Sequence, residues 1–484
     1  MTKPAKVKAR LDAAKRPPAV SMGKMSARLF TAAIVLFVLA RCYIAFILNP
    51  VLTDITLYFE YSSRAIDRNK EPYRDFTVEY PPVAWWSMCA PRLLDDRHLT
   101  ASPRSPVNAA IFHDYHRAYR LEMALCDVAA FALFLAIVRK RRPRSAGWAA
   151  MTYVAATTIL CHVLYDHLDE GTLLFSMLGM YAWTQTLEPR RSGPAWSAAA
   201  FFFFFGLGFS YKLMPLIAVP FLLLAEWHNA DRQKRLVASL AGLALGMGGP
   251  FAIQYTISGP GVFKLFSHHA GRGIQVESLY STLMWLGSLC GQPISISLSE
   301  ADGAHCVSGP SATAMKILST VAICVFLGTV GVWAVLRGSR LGRAEALGLA
   351  CYALGGCVIF SNVLSPQYFV WSIPLLLLAG IEILPEKPKS AWMLVGFLIA
   401  AAGLTTWLFP YHYLCDPRTH GGTPISCGLI PASPEEPLAP SSLGYAVLAA
   451  RNFLYLGIVI WLGAAIFARR NADRLPPESR SKNQ

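Results

Sequence analysis

The chain has 484 residues, of which 54% are hydrophobic and only 15% charged; a soluble domain carries about 25% charged residues, so an ordinary soluble globular fold is excluded. The net charge of +15 raises nucleic acid as a partner. The basic residues instead sit in short clusters beside apolar runs, as the positive-inside rule requires, and no nucleic-acid interface is expected.

Met1 to Arg28 is a basic tail holding eight Lys and Arg. The next run, Leu29 to Leu48, is too long for a signal-peptide core and lacks a small-residue cleavage site, so it reads as a retained first span. Similar apolar runs recur, each roughly 17–25 residues, the length a helix needs to cross a hydrocarbon core. In lipid the backbone must satisfy its own hydrogen bonds, so these runs read as helices. Twelve spans are predicted, near 29–48, 118–138, 147–164, 171–187, 195–211, 213–227, 235–257, 312–336, 345–363, 367–384, 391–409 and 444–467. The pair around 195–227 is crowded, because Lys212 and Pro215 leave little room for a turn.

Alternating the spans from a cytoplasmic N-terminus places 28 of the 44 Lys and Arg inside, which predicts both termini in the cytoplasm. The expected organisation is an all-α polytopic domain over 29–467, between cytoplasmic tails 1–28 and 468–484. The outward face receives three long loops, 49–117, 258–311 and 411–443. Long loops gathered on one face mark the working side. Within the first, Pro81 to Leu94 is apolar but too short to span, and reads as an interfacial or re-entrant helix; Ser278 to Leu289 reads as another. Of eleven cysteines, seven lie in or beside apolar runs as small core residues. Cys290 with Cys306, and Cys415 with Cys427, lie in outward loops where disulfides are chemically permitted, and sequence leaves their connectivity open. No CxxC-type metal spacing is present, and neither a metal nor a cofactor is expected.

The stretch TDITLYFEYSSRAIDRNKEPYRDFTVEYPPVAWW (53–86) is the richest in chemistry. Asp54, just past the first span, has two readings: a general base for a hydroxyl acceptor, or an N-cap for a helix starting at Ile55. Glu79 is a second acidic candidate. Asp166 and Asp169, in YDHLDEG, form an outward acidic pair or a solvated turn. A developing phosphate charge needs cations, and Arg272, His268, His269 and Lys212 are the outward candidates. Against this, Lys212 can snorkel, the histidines can be solvated, and Gly271 and Gly273 beside Arg272 can mark a plain turn. Glu277 caps the following helix or pairs with Arg272. Arg64 and Arg74 read as structural or headgroup-facing. Tyr80, Trp85 and Trp86 form an aromatic belt or stack on a sugar. Gln367 and Tyr368 hydrogen-bond a sugar or pack at a helix start behind Pro366. Glu122 and Asp127 fall inside the second span, where charge is costly and often functional; Glu122 is expected to pair with Arg120. Phe201 to Phe205 read as lipid-facing or packing residues.

Taken together, a carboxylate past the first span, Tyr58, PYRDF (72–76), EYPP (79–82), Lys212 and Pro215 in YKLMP, HHAGRGIQVES (268–278) and SPQYFVW (365–371) resemble the GT-C superfamily of membrane glycosyltransferases. The closest resemblance is to glycosyltransferase family eighty-seven, the polyprenyl-phosphate-dependent mannosyl- and arabinofuranosyltransferase-like group. It runs in order over most of the span region. It implies a GT-C-type bundle, Asp54 as base, a polyprenyl-phosphate sugar donor, a cell-envelope glycolipid or glycan acceptor, metal-independent chemistry and a site on the outer face. Three rivals stand beside it. A secondary transporter or lipid-linked-sugar flippase suits twelve spans, but no Gly/Pro-broken helices recur in matching halves. An envelope polymerase or ligase would draw on a lipid diphosphate. A non-catalytic scaffold sits poorly with Asp54.

Overall fold

A computed structural model describes residues 23–48, 54–100, 102, 105–186, 195–228, 231–299, 304–384, 388–411 and 442–472. Most of the tails and of loop 411–443, with Cys415 and Cys427, lie outside these residues.

Among the described residues seven helices are long and apolar enough to cross a membrane. They begin with α1 (Lys24–Phe46), which leads into the shorter helices α2 (Ile55–Ile66) and α3 (Pro82–Leu93). Then come α4 (Pro106–Arg141), α5 (Ala146–Ile159) with the short α6 (Cys161–Leu164), α7 (Asp169–Gln185) and α8 (Ala195–Tyr211). A 3-10 turn, Met214–Ala218, opens α9 (Val219–Trp227) and absorbs the crowding at Lys212 and Pro215. After α10 (Arg232–Ser258) the chain forms α11 (Lys264–Gly271), β1 (Ile274–Gln275), α12 (Leu279–Ser288), β2 (Ser295–Ser299) and β3 (Ala304–Ser308). The bundle closes with α13 (Ala312–Arg337), α14 (Arg343–Cys357), α15 (Tyr368–Ile383), α16 (Pro388–Thr406) and α17 (Ser442–Ala472). Every expected span falls on one of these helical segments, and the two short segments read as interfacial are helical, as α3 and α12. The chain is an all-α polytopic membrane protein.

Local chemistry sets the boundaries. Pro82 and Pro106 open α3 and α4, positions where a missing N–H costs nothing. Ser105 caps α4 by accepting from Val107 N at 3.2 Å, and Ser278 caps α12 by accepting from Ser281 N at 3.1 Å. The α8 and α10 helices cross closely because Gly242 and Gly246 leave room for backbone: a Cβ at Gly246 would lie 2.2 Å from Phe203 O.

One feature departs from the all-helical expectation. The loop after α10 carries a three-stranded antiparallel sheet, ordered β1–β3–β2, with Ile274 and Ile296 both opposite Val307. The disulfide that the sequence permits between Cys290 and Cys306 is not formed; Cys290 is an exposed thiol on the turn after α12, whereas Cys306 is a buried thiol on β3.

Polar contacts sort the helix ends into two sets. At one end, Arg120 donates to Ile44 O and Leu48 O at 2.5 and 2.8 Å, Asp54 N donates to Asp166 O, and Lys212 meets Asp169. At the other, Arg141 holds Glu382 at 3.0 Å, and Arg343 reaches Glu226 at 2.7 Å. Between them, Arg41 and Asp127 form a sealed ion pair at 2.6 Å. Tyr165 and Tyr153 donate to the same carboxylate at 2.9 and 3.2 Å, and Arg41 also donates to Thr157 Oγ1 at 2.6 Å. A charge this deep is tolerable only when paired and hydrogen-bonded.

Candidate functional site

Asp54 stands immediately before α2, where an N-cap belongs, yet its side chain makes no capping hydrogen bond. Its carboxylate instead accepts from Tyr58 Oη, one turn on, at 3.3 Å, and faces His167 Nε2 at 3.6 Å. The side chain keeps 38% of its surface open while His167 keeps 5%. Asp54 is therefore not a side-chain cap, and its carboxylate stays partly open.

Tyr80 joins this carboxylate to the next group. Its ring meets Tyr58 edge-on at 5.7 Å. Burial, with the charges of Glu79 and Asp54, pushes its hydroxyl well above the usual range, while Tyr58 and Arg272 act the other way. Asp54, Glu79 and Arg272 thus all act on one hydroxyl. Glu79 Oε2 meets His268 Nε2 at 2.8 Å, and His269 Nε2 lies 3.0 Å from Glu79 O. Arg272 follows α11, partly buried, and Asn362 donates to the carbonyls of Arg272 and Gly273 at 3.2 and 2.9 Å. The structure thus brings Asp54, Glu79, Tyr80, His268, His269 and Arg272 together. The histidines are partners of Glu79 rather than solvated loop residues.

PYRDF supports this group from outside. Tyr73 adopts φ 62°, a left-handed conformation uncommon for a non-glycine residue, and its hydroxyl donates to Tyr80 O at 2.6 Å.

A second group adjoins through segment 165–169. Asp169 is buried, accepting from Lys212 Nζ at 2.7 Å and Trp371 Nε1 at 2.8 Å. Lys212 also lies 4.6 Å from the Tyr368 ring centre. The end of α8 approaches this closely because a Cβ at Gly171 would be 2.3 Å from the Tyr211 ring. Lys212 is therefore a paired, largely buried cation rather than a snorkelling one, and Tyr368 stacks beneath it. Gln367 sits partly buried at the start of α15.

Several expectations are corrected. Asp166 and Asp169 are each 1% exposed, so neither is a solvated turn. Burial raises the Asp166 carboxyl above its ordinary value, opposed by Arg120 and His167 and reinforced by Asp54. Glu277 is fully enclosed and pairs with Arg451 of α17 at 3.0 Å, rather than capping the following helix; Ser278 does the capping. Glu122 accepts from Ser87 at 2.5 Å rather than from Arg120, which is occupied with the α1 carbonyls. Trp85 is buried against Phe76, and the partly buried Trp86 donates to Gln254. Arg64 pairs with Glu60, and Arg74 with Glu71 and Asp75, as structural residues. Sequence reasoning passed over His167, Asn362, Trp371 and Arg451. His167, between the two aspartates of YDHLDEG, and Trp371, at the end of SPQYFVW, carried visible signals. Among the described residues no three His, Cys, Asp or Glu side chains are placed to hold a metal ion.

Fold and site define a polytopic helical membrane protein with a polar, partly open site at one end of its bundle. No family model matches the sequence, and no curated protein matches it. Among solved structures it is similar to ArnT from Cupriavidus metallidurans bound to undecaprenyl phosphate, with 17% identity over 93% of this chain and 82% of that chain, at a TM-score of 0.47. The apo state of the same ArnT gives 16% identity over 93% and 81%, at 0.46.

Proposed function

We propose that the chain is a GT-C glycosyltransferase, similar to glycosyltransferase family eighty-seven, that moves a sugar from a polyprenyl phosphate to a hydroxyl of a cell-envelope glycolipid or glycan. The observation that carries this reading is Asp54: a carboxylate at a helix start that leaves the helix uncapped and stays 38% open beside Tyr58 and His167. In this reading Asp54 takes the acceptor proton as the hydroxyl oxygen attacks the anomeric carbon. The bond from that carbon to the phosphate oxygen breaks, and polyprenyl monophosphate leaves with its electron pair. A single displacement inverts the anomeric centre. Arg272, with its planar fork, meets the phosphate as its charge grows. His268 and His269, positioned by Glu79, line the same side. Lys212, held by Asp169, adds positive potential from the adjoining group. Tyr80, Gln367 and Tyr368 orient the sugar. The outer-face site and cytoplasmic termini follow from the distribution of basic residues. A mannose- or arabinofuranose-type donor follows from the sequence resemblance.

A donor screen tests the reading. Purified, reconstituted protein receives radiolabelled polyprenyl-monophosphate mannose or arabinofuranose, or a polyprenyl-diphosphate sugar, with an envelope lipid extract. Transfer from a monophosphate donor, with inversion, is expected. Transfer from the diphosphate alone selects an envelope polymerase or ligase. Movement of the lipid-linked sugar across the bilayer without any transfer selects a transporter or flippase.

A further inference from the structure

At the end of the bundle away from Asp54, the first turns of α1, α5 and α16 and the last turn of α15 enclose a cavity of about 360 Å³, within the size range of small-molecule sites. Its walls are mostly apolar: Leu29, Trp148, Ile381, Leu384, Ala391 and Val395. Met25 and Trp392 line it while remaining largely exposed, so it opens on the flank of the bundle, the surface a bilayer covers.

The rim is basic. Arg144 lines the cavity, and Lys24, Arg28 and Lys389 lie within one turn of lining residues. All four are exposed, and among the described residues none has an acidic partner. The nearby acid Glu382 is already held by Arg141. An apolar slot between helices, open to the side, lined by Arg144 and close in sequence to three more exposed cations without an acidic partner among the described residues, has the chemistry that recognises an anionic lipid. A zwitterionic lipid fills the slot equally well but leaves the rim charge uncompensated.

We propose that this cavity is a binding site for an anionic phospholipid, one acyl chain lying in the slot and the phosphate meeting Arg144 and its basic neighbours. The site is separate from the Asp54 region and does not depend on the transferase reading.

Tryptophan quenching tests it on the full chain in detergent, using phosphatidylglycerol or phosphatidylcholine with brominated acyl chains. The signal from Trp148 and Trp392 is the difference between wild type and the Trp148→Phe/Trp392→Phe variant. Half-quenching by phosphatidylglycerol is expected at a concentration roughly tenfold below that of phosphatidylcholine. The Arg144→Ala/Lys389→Ala variant should erase most of that gap, on the order expected for removing two headgroup charges. Ala391→Phe, which fills the slot, should abolish the difference signal with both lipids. Equal quenching by the two lipids overturns the proposal, as does quenching that survives Ala391→Phe. Absence of quenching also overturns it, and recovery on deleting residues 1–22 then assigns the cavity to the chain's own N-terminal segment. If Ala391→Phe does not fold, the charge variant still decides.

Discussion

At the end of the bundle away from the site, Glu226 is completely enclosed between Arg235 and Arg343, and Arg141 closes on Glu382. At the Asp54 end, the carboxylate keeps 38% of its surface open, Glu79 shares itself between two histidines, and Arg272 is partly buried. Both ends are rich in charge, yet they use it differently. Enclosed pairs hold helices in register, because each partner cancels the other's desolvation cost. Partly open groups of mixed sign keep capacity for a ligand. In this chain, accessibility, rather than charge alone, separates the candidate site from the structural locks.

Breaking the lock should cost most in stability and least in chemistry. Glu226→Leu strands two arginines and is expected to destabilise by about 3–5 kcal/mol, read as a lower unfolding temperature in detergent, with transfer per folded molecule unchanged. Loss of transfer in a fully stable Glu226→Leu protein would break the comparison. Arg272→Leu should show the reverse: thermal stability close to wild type and a rate lower by about 10²-fold, the scale for removing a group that meets developing charge. Glu79→Gln should act more mildly. It keeps the size of the side chain but loosens His268, and about a tenfold fall in turnover is expected, at the low end of effects from proton-handling groups.

The smallest effect concerns Asp166. Burial raises its carboxyl above the ordinary value of 3.8. Its protonated form is therefore favoured by folding, and the stability it contributes is present below about pH 3.8 and lost as pH rises through the raised value. Asp166→Asn should raise the unfolding temperature slightly at pH 7, and the gain should shrink as the pH approaches 4. A destabilised Asp166→Asn protein at pH 7 would mean that its contacts with Arg120 and His167 outweigh burial.

How much of this was legible follows from what each feature depends on. The helices were readable because length and apolarity are local properties of a run, and α1 or α13 needs no partner to be recognised. The caps at Ser105 and Ser278 are equally local but were not read, and the second was assigned one residue early, to Glu277. The sheet was missed: β1 is two residues long, and the alternation in β2 (SISLS), a strand signal, is only five residues long and was passed over. The partners were the least visible. Glu277 and Arg451 are 174 positions apart, and Asp169 and Trp371 are 202 apart. Nothing in either neighbourhood announces the other, and only the fold joins them. Asp54 was found by its place after the first span, but the sequence left it divided between cap and base; the missing capping bond removes the side-chain cap, and the role as base stays a proposal for experiment.

The central claim is that the open carboxylate of Asp54 performs chemistry. Wild type and Asp54→Asn, matched for expression and unfolding temperature, would be reconstituted with radiolabelled polyprenyl-phosphate sugar and an envelope lipid extract. Transfer by wild type with a loss of about 10³-fold in the variant, within the range for a general base, is the predicted result. Full transfer by Asp54→Asn would contradict the claim and move the search for the base to Glu79 or Asp169.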